Sequence, residues 1–237
     1  MKTRSVTPVT HRKDMEMIKR VLSFSLFFIA AATIHSTFAC AAGMQKDVNQ
    51  AVAIIERFRR LPEKSIPPAV LRHARGLAIM TVVKAGFIFS GRGGTGVVVA
   101  RTRRGWSGPS AIGTGGAGFG LQIGAQVTEF VFVLNTPDAV RAFSEGGNIA
   151  LGADLSVAAG PVGRTVEAGV TPYAAVYSYS ISQGLFGGIS LEGTVIATRN
   201  KVNEQYYGRY VTPDEILSGS VRVPAGARRL QRVLARY

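Results

Sequence analysis

The sequence predicts an α+β fold in which N-terminal helices precede a glycine-rich antiparallel β-barrel or sandwich-like sheet carrying further short helices. Three observations predict it. Helical apolar spacing is concentrated before Gly76 and in a few short stretches near the C-terminus, whereas β-rich runs broken by glycine fill most of the remainder. Of the 237 residues 46% are hydrophobic, enough for one domain with a substantial core. The many short strands implied by the glycine spacing suit a barrel or a sandwich.

From Asp47 to Arg60, Val48, Ala51, Val52, Ile55 and Phe58 recur at helical spacing, with Arg57, Arg59 and Arg60 gathered where cations complement the helix dipole. Pro62 ends this helix. Ser65, Pro67 and Pro68 open a second short one through Val70, Leu71 and Ala74, which Gly76 closes. The two either pack on the core or present their basic side to lipid. Leu77 to Val83, Gly86 to Ser90 and Thr95 to Arg101 then read as strands, with Gly-Arg-Gly-Gly at 91–94 as a turn. Leu121, Ile123, Ala125 and Val127 alternate with polar residues or glycine, as on a half-buried strand, and Phe130 to Leu134 is uniformly apolar.

Pro137 to Glu145 reads as a short helix, and Ala150 to Asn200 returns to strands, two of which meet at the glycine-rich stretch after Ser182. Thr212-Pro213-Asp214-Glu215 supplies a cap, an N1 proline and early acidic residues for a helical turn to Leu217. In the last segment Leu230, Val233, Leu234 and Tyr237 share one helical face, with Arg229, Arg232 and Arg236 mostly off it. This helix either docks on the core or lies on a membrane surface.

Lys and Arg total 28 against 14 for Asp and Glu, a formal charge of +14 that selects for an anionic partner. Only Lys46, Lys64, Lys84 and Lys201 are lysines beyond residue 39, so the domain's basicity is mostly arginine, which can fork two hydrogen bonds onto a phosphate. Lys19 and Arg20, the apolar run from Val21 to about Ile34 and the small residues Ala39-Cys40-Ala41 follow the order of a secretory signal peptide. The expected organisation is a leader at 1–41, the domain at 45–219 and a basic C-terminal tail at 220–237. Cleavage after Ala41 would discard Cys40, whereas lipoprotein processing would retain it as the acylated first residue. The expected location is therefore exported, either periplasmic or membrane-associated. With Cys40 removed no cysteine remains, so the domain does not depend on a disulfide.

Catalytic chemistry finds little support. His73 is the one histidine beyond the leader and reads as helix surface, while Asp154, Glu167 and Glu192 are isolated carboxylates. No Cys pair or His-x-x-x-His spacing offers a transition-metal site, so no metal and no cofactor are expected. The glycine runs at 91–96 and 113–120 lack the Gly-Lys-Ser/Thr of a phosphate loop and the following helix of a dinucleotide fold. They read as bulges, turns or close strand approach. Two basic clusters are candidate lipid contacts: Arg57, Arg59, Arg60 and Lys64, and Arg101, Arg103 and Arg104 at a turn before Trp106. Trp106 either sits at headgroup level or is buried.

Gly86-Phe87 with the following GRGGTGVVVAR, and GWSGPSAI at 105–112, resemble the SYLF domain family. So do GAGFGLQIGAQ at 116–126, Gly152-Ala153-Asp154, Ala159-Gly160-Pro161, YSYS at 177–180, GLFGG at 184–188, Leu191-Glu192-Gly193, and Asn203 with Tyr206-Tyr207-Gly208. The similarity runs in order from about Gln45 to Gly219. It implies a lipid-binding module whose eukaryotic relatives bind phosphoinositides and, in some, actin filaments. In lipid-binding relatives an N-terminal amphipathic basic helix contributes to membrane contact, and Asp47 to Arg60 is similar to it in position and character. The SH3 and FYVE modules of eukaryotic relatives are absent from this sequence. The function expected is peripheral, non-catalytic binding of an anionic phospholipid membrane, with an envelope scaffold that binds itself or an envelope protein as the alternative. No nucleic-acid partner is expected.

Overall fold

The computed structural model describes residues 41–87, 89–119, 124–161, 174–184 and 194–237. The leader with Cys40, the positions of Leu121 and Ile123, the carboxylates Glu167 and Glu192, and the glycine-rich stretch at 185–193 lie outside the described residues.

The described residues begin with helix α1 (Ala41–Arg60), a short 3-10 turn (Pro62–Lys64) and helix α2 (Pro68–His73). Strands β1 (Gly76–Phe87), β2 (Phe89–Thr102), β3 (Gly105–Trp106), β4 (Ser110–Phe119) and β5 (Gly124–Leu134) follow. Then come α3 (Pro137–Ser144), β6 (Asn148–Leu151), β7 (Val157–Ala159), β8 (Val176–Gly184) and β9 (Thr194–Thr198). Helices α4 (Asn200–Tyr207), α5 (Pro213–Leu217) and α6 (Arg228–Leu234) complete the fold. The strands form one curled sheet in the order β6-β9-β4-β2-β1-β5-β8-β7, with β3 paired to β2. Every pairing is antiparallel except β7 on β8, so the α+β class holds with a mixed sheet.

The Gly-Arg-Gly-Gly stretch is not a turn. Residues 91–94 lie inside β2, hydrogen-bonded to β1 on one side and β4 on the other, and the β1–β2 register runs unbroken from Gly76↔Ala100 to Phe87↔Phe89. Close strand approach explains Gly94 and Gly96, whereas a Cβ on Gly91 or Gly93 would meet nothing within 4 Å. A Cβ on Gly94 would lie 2.6 Å from the Thr81 carbonyl oxygen, and one on Gly96 would collide with Ile79 and Met80. Local propensity reads such a run as a turn, but two neighbouring strands decide otherwise.

Strand alternation gives the sheet two apolar faces. On one, Met80, Val98, Phe130, Phe132, Ile112 and Ile196 join Phe143 of α3 and Leu217 of α5 in a continuous core, with the Phe130 and Phe132 rings stacked at 5.5 Å. On the other, Leu77, Ile79, Val97, Val99, Val131 and Val133 are fully buried, and α1 packs against β2, β1 and β5. Met44, Val48, Ile54 and Phe58 of α1 are buried as well. The helix therefore docks on the core. Asp47 pins it there, accepting from Thr95 Oγ1 at 2.7 Å and from Arg199 Nη1 at 2.9 Å.

Helix α4 begins at Asn200, where the stretch read as strands ends, and covers residues to which the sequence pattern assigns no element. No side chain caps its start at Arg199, and its amphipathic signal is short, so pattern reading misses it. It ends at Gly208, whose φ of +71° suits glycine. The segment read as a basic tail at 220–237 carries α6, which packs on α1 and β3 with Leu230, Val233 and Leu234 buried. Among the described residues no helix is long and apolar enough to cross a membrane.

Candidate anion-binding surface

The β2–β3 hairpin turns at Arg103 and Arg104. Its geometry is set by Gly105, at φ +107°, and by Thr102, whose Oγ1 donates to the Gly105 carbonyl at 2.9 Å and accepts from the Arg104 N–H at 3.2 Å. The tight turn leaves Arg103 and Arg104 exposed and sets Arg101 opposite Trp106 across the ladder.

Trp106 is buried, at 6% exposure. Its Nε1–H donates to the Leu234 carbonyl at 3.1 Å, and Gln231 Nε2 donates to the Trp106 carbonyl at 2.6 Å, so the ring forms the seat of α6. The Arg101 guanidinium carbon lies 4.5 Å from the Trp106 ring centroid. Arg101 also donates from Nε to the Ala74 carbonyl at 3.2 Å and from Nη2 to the Leu71 carbonyl at 3.1 Å. Two of its five donors are thus spent in tying the end of α2 to the sheet. Desolvation lowers the Arg101 pKa from its ordinary value.

A cleft of about 760 Å³ opens between the hairpin and α6, lined by Arg101, Arg104, Trp106, Arg228, Gln231 and Arg232 together with Gly105 and Ala235. Four of these eight residues are arginines and none is acidic. Among the described residues the Arg104, Arg228 and Arg232 side chains have neither an ion pair nor a hydrogen-bond partner. Arg103 faces a second cleft, of about 500 Å³, that runs past Leu217 to Ser220.

The basic residues at the end of α1 are arranged differently. Arg57 pairs with the buried Glu129 at 3.4 Å, and Arg60 meets Glu56 at 3.6 Å. Glu56 also meets Arg229, at 3.6 Å, which links α1 to α6. Arg59 borders an apolar slot of about 300 Å³ between Ile55, Phe58, Ile66, Leu71 and Tyr237. Lys64 is exposed. The structure therefore brings Arg101, Arg104 and Trp106 into one cleft, sets Arg103 beside it, and commits Arg57 and Arg60 to neighbouring carboxylates. Arg228, Gln231 and Arg232 were not selected from the sequence. Their signal was the 230/233/234 apolar face, which fixes which side of α6 turns outward. His73 Nδ1–H donates to the Ala69 carbonyl, 2.8 Å away, within its own helix. No group of three metal-ligating side chains occurs among the described residues.

Residues 115–237 match the family profile described as "Ysc84: Las17-binding protein actin regulator". The chain belongs to the Ysc84, or SYLF, family. It is 52% identical over 177 residues to Protein YSC84 of Saccharomyces cerevisiae, which covers 73% of this chain and 38% of that protein. It is likewise 52% identical to LAS seventeen-binding protein 3 of the same yeast, covering 73% and 39%. To the human SH3 domain-containing YSC84-like protein 1 it is 42% identical over 201 residues, covering 81% and 59%. The chain thus spans between 38% and 59% of the length of these three relatives. The Ysc84 match reaches residue 237 and so includes α6.

Proposed function

We propose that this Ysc84-family domain is a non-catalytic module that docks peripherally on anionic phospholipid membranes through the end of the sheet that carries the β2–β3 hairpin and α6. The observation that carries this reading is the cleft at that end, lined by four arginines and no carboxylate. Arg103 adds to the same end, as do the exposed Arg72 and Arg75, Arg75 accepting at its carbonyl from the Arg101 N–H at 2.8 Å. Each basic residue near an anionic surface contributes about 1 kcal/mol, so the cluster as a whole suffices for peripheral binding. The leader pattern supports export to the periplasm or to a membrane face, and acylation at Cys40 would supply a separate anchor.

A second reading, protein docking, is favoured by the names of the relatives, which include a LAS seventeen-binding protein. On that reading the basic end would meet an acidic partner, an envelope protein or a second copy of the chain. Co-sedimentation of the full chain with liposomes of graded anionic content, at low and high salt, separates the two. Binding that rises with anionic fraction and falls with salt supports membrane docking. No sedimentation with any liposome overturns it in favour of protein docking.

A further inference from the structure

We infer that the cleft between the β2–β3 hairpin and α6 is a discrete site for a doubly charged terminal phosphate group, and that α6 supplies half of its cations. For the lipid source of that phosphate the inference rests on the membrane reading above.

The cleft differs from a diffuse basic surface in how it is built. Arg101 is held in place by Trp106 beneath it and by the Leu71 and Ala74 carbonyls, so one guanidinium is positioned before any ligand arrives. Arg104 from the hairpin, and Arg228 and Arg232 from α6, surround the same volume without side-chain partners among the described residues. Several arginines outside the cleft have a carboxylate beside them: Arg57 has Glu129, Arg60 and Arg229 have Glu56, Arg141 has Asp138 and Arg199 has Asp47. Among the described residues no carboxylate lines the cleft.

Four clustered guanidinium groups repel one another, and only an anion relieves the repulsion. The planar fork of donors on arginine matches phosphate oxygens, and a phosphomonoester carries up to two charges on three terminal oxygens, against one charge on a phosphodiester. An exposed monoester headgroup fits this cation set better than a diester headgroup. The two halves of the site come from different elements, so an occupant bridges them. Arg228 and Arg232 are then drawn toward Arg101 and Arg104, and the ligand clamps α6 onto the domain.

Trp106 is the only tryptophan in the chain. Because it floors the cleft, its emission reports occupancy. The test titrates the full chain with vesicles that contain phosphatidic acid, whose phosphate is a monoester, or phosphatidylserine, a diester, at matched surface charge in neutral phosphatidylcholine. Soluble glycerol phosphate serves as the free source. The variant Arg104→Gln/Arg232→Gln removes two cleft cations, and Arg141→Gln/Lys201→Gln removes two exposed cations outside the cleft.

The expected result is about tenfold tighter binding to the monoester vesicles, a shift in Trp106 emission, and slower amide exchange at residues 228–237. The cleft variant abolishes all three and the remote variant keeps them. Glycerol phosphate that produces the emission shift in the parent but not in the cleft variant, without vesicle discrimination, supports the site and assigns it a soluble phosphate. Equal affinity for the two vesicle types, falling equally in both variants, overturns the site while leaving membrane docking standing. Absence of any vesicle or glycerol phosphate binding overturns both.

Discussion

Asn203 is fully buried, and both ends of its amide are used. Oδ1 accepts from the Ala111 N–H at 2.7 Å and Nδ2 donates to Ser110 Oγ at 3.1 Å, which fastens α4 to the start of β4. Asn203→Ala leaves a buried backbone donor without a partner and is expected to cost about 1–3 kcal/mol, read from the midpoint of urea unfolding. Trp106→Phe keeps a ring under Arg101 but removes the donor to Leu234. Its expected outcome is a loss of about 1 kcal/mol in the local stability of α6, seen as faster amide exchange confined to residues 228–237. Glu215 carries a pH dependence. The Thr212 backbone N–H donates to its carboxylate at 2.8 Å and lowers its pKa below the ordinary 4.5. The stability it adds is present above that ordinary value and is lost as pH falls through the folded value. Glu215→Gln should therefore flatten the acid limb of a plot of Tm against pH below about pH 4.5.

At the scale of elements, α1 holds the outer face of the sheet through a stripe of buried apolar side chains. Ile54 lies at its centre and is fully buried. Ile54→Ala should destabilise the domain by about 2–5 kcal/mol in chemical unfolding, because a cavity remains between helix and sheet. Helix α5 shows how local chemistry fixes an element. Thr212 and Glu215 form a reciprocal capping box with Pro213 at the first helical position, all of it legible in the sequence. Strand β2 is the opposite case. Its central glycines carry a turn signature, yet they are strand because β1 and β4 pair with them on both sides. A single chain segment contains no record of those neighbours.

For the whole molecule, the formal charge of +14 is unevenly disposed. Glu56 of α1 and Glu129 of β5 are spent on Arg57, Arg60 and Arg229, while Arg104 of the hairpin and Arg228 and Arg232 of α6 have no carboxylate partner among the described residues. Arg103→Glu with Arg104→Glu should weaken liposome binding more than the same double reversal at Arg57 and Arg60, where the parent charges are already paired. The comparison is read as the liposome-bound fraction at about 0.1 M salt, where a surface field still acts over roughly 10 Å. Equal losses for the two pairs would place the membrane contact on both ends of the basic surface.

The sequence by itself determined the fold class, the family, the apolar stripe of α1, the α5 cap and the arginine richness of the domain. Each is a property of composition, of residue order or of a period within one element, and needs no knowledge of what lies across the fold. The tertiary structure alone decided which arginines remain free. Whether Arg57 or Arg104 has a carboxylate beside it depends on Glu129 and on α6, which are 72 and more than 120 residues away along the chain. Trp106 is likewise assigned to the interior because Leu234 arrives from the far end of the sequence to accept its N–H. Charge pairing and burial are set by long-range packing, and local pattern carries no information about either.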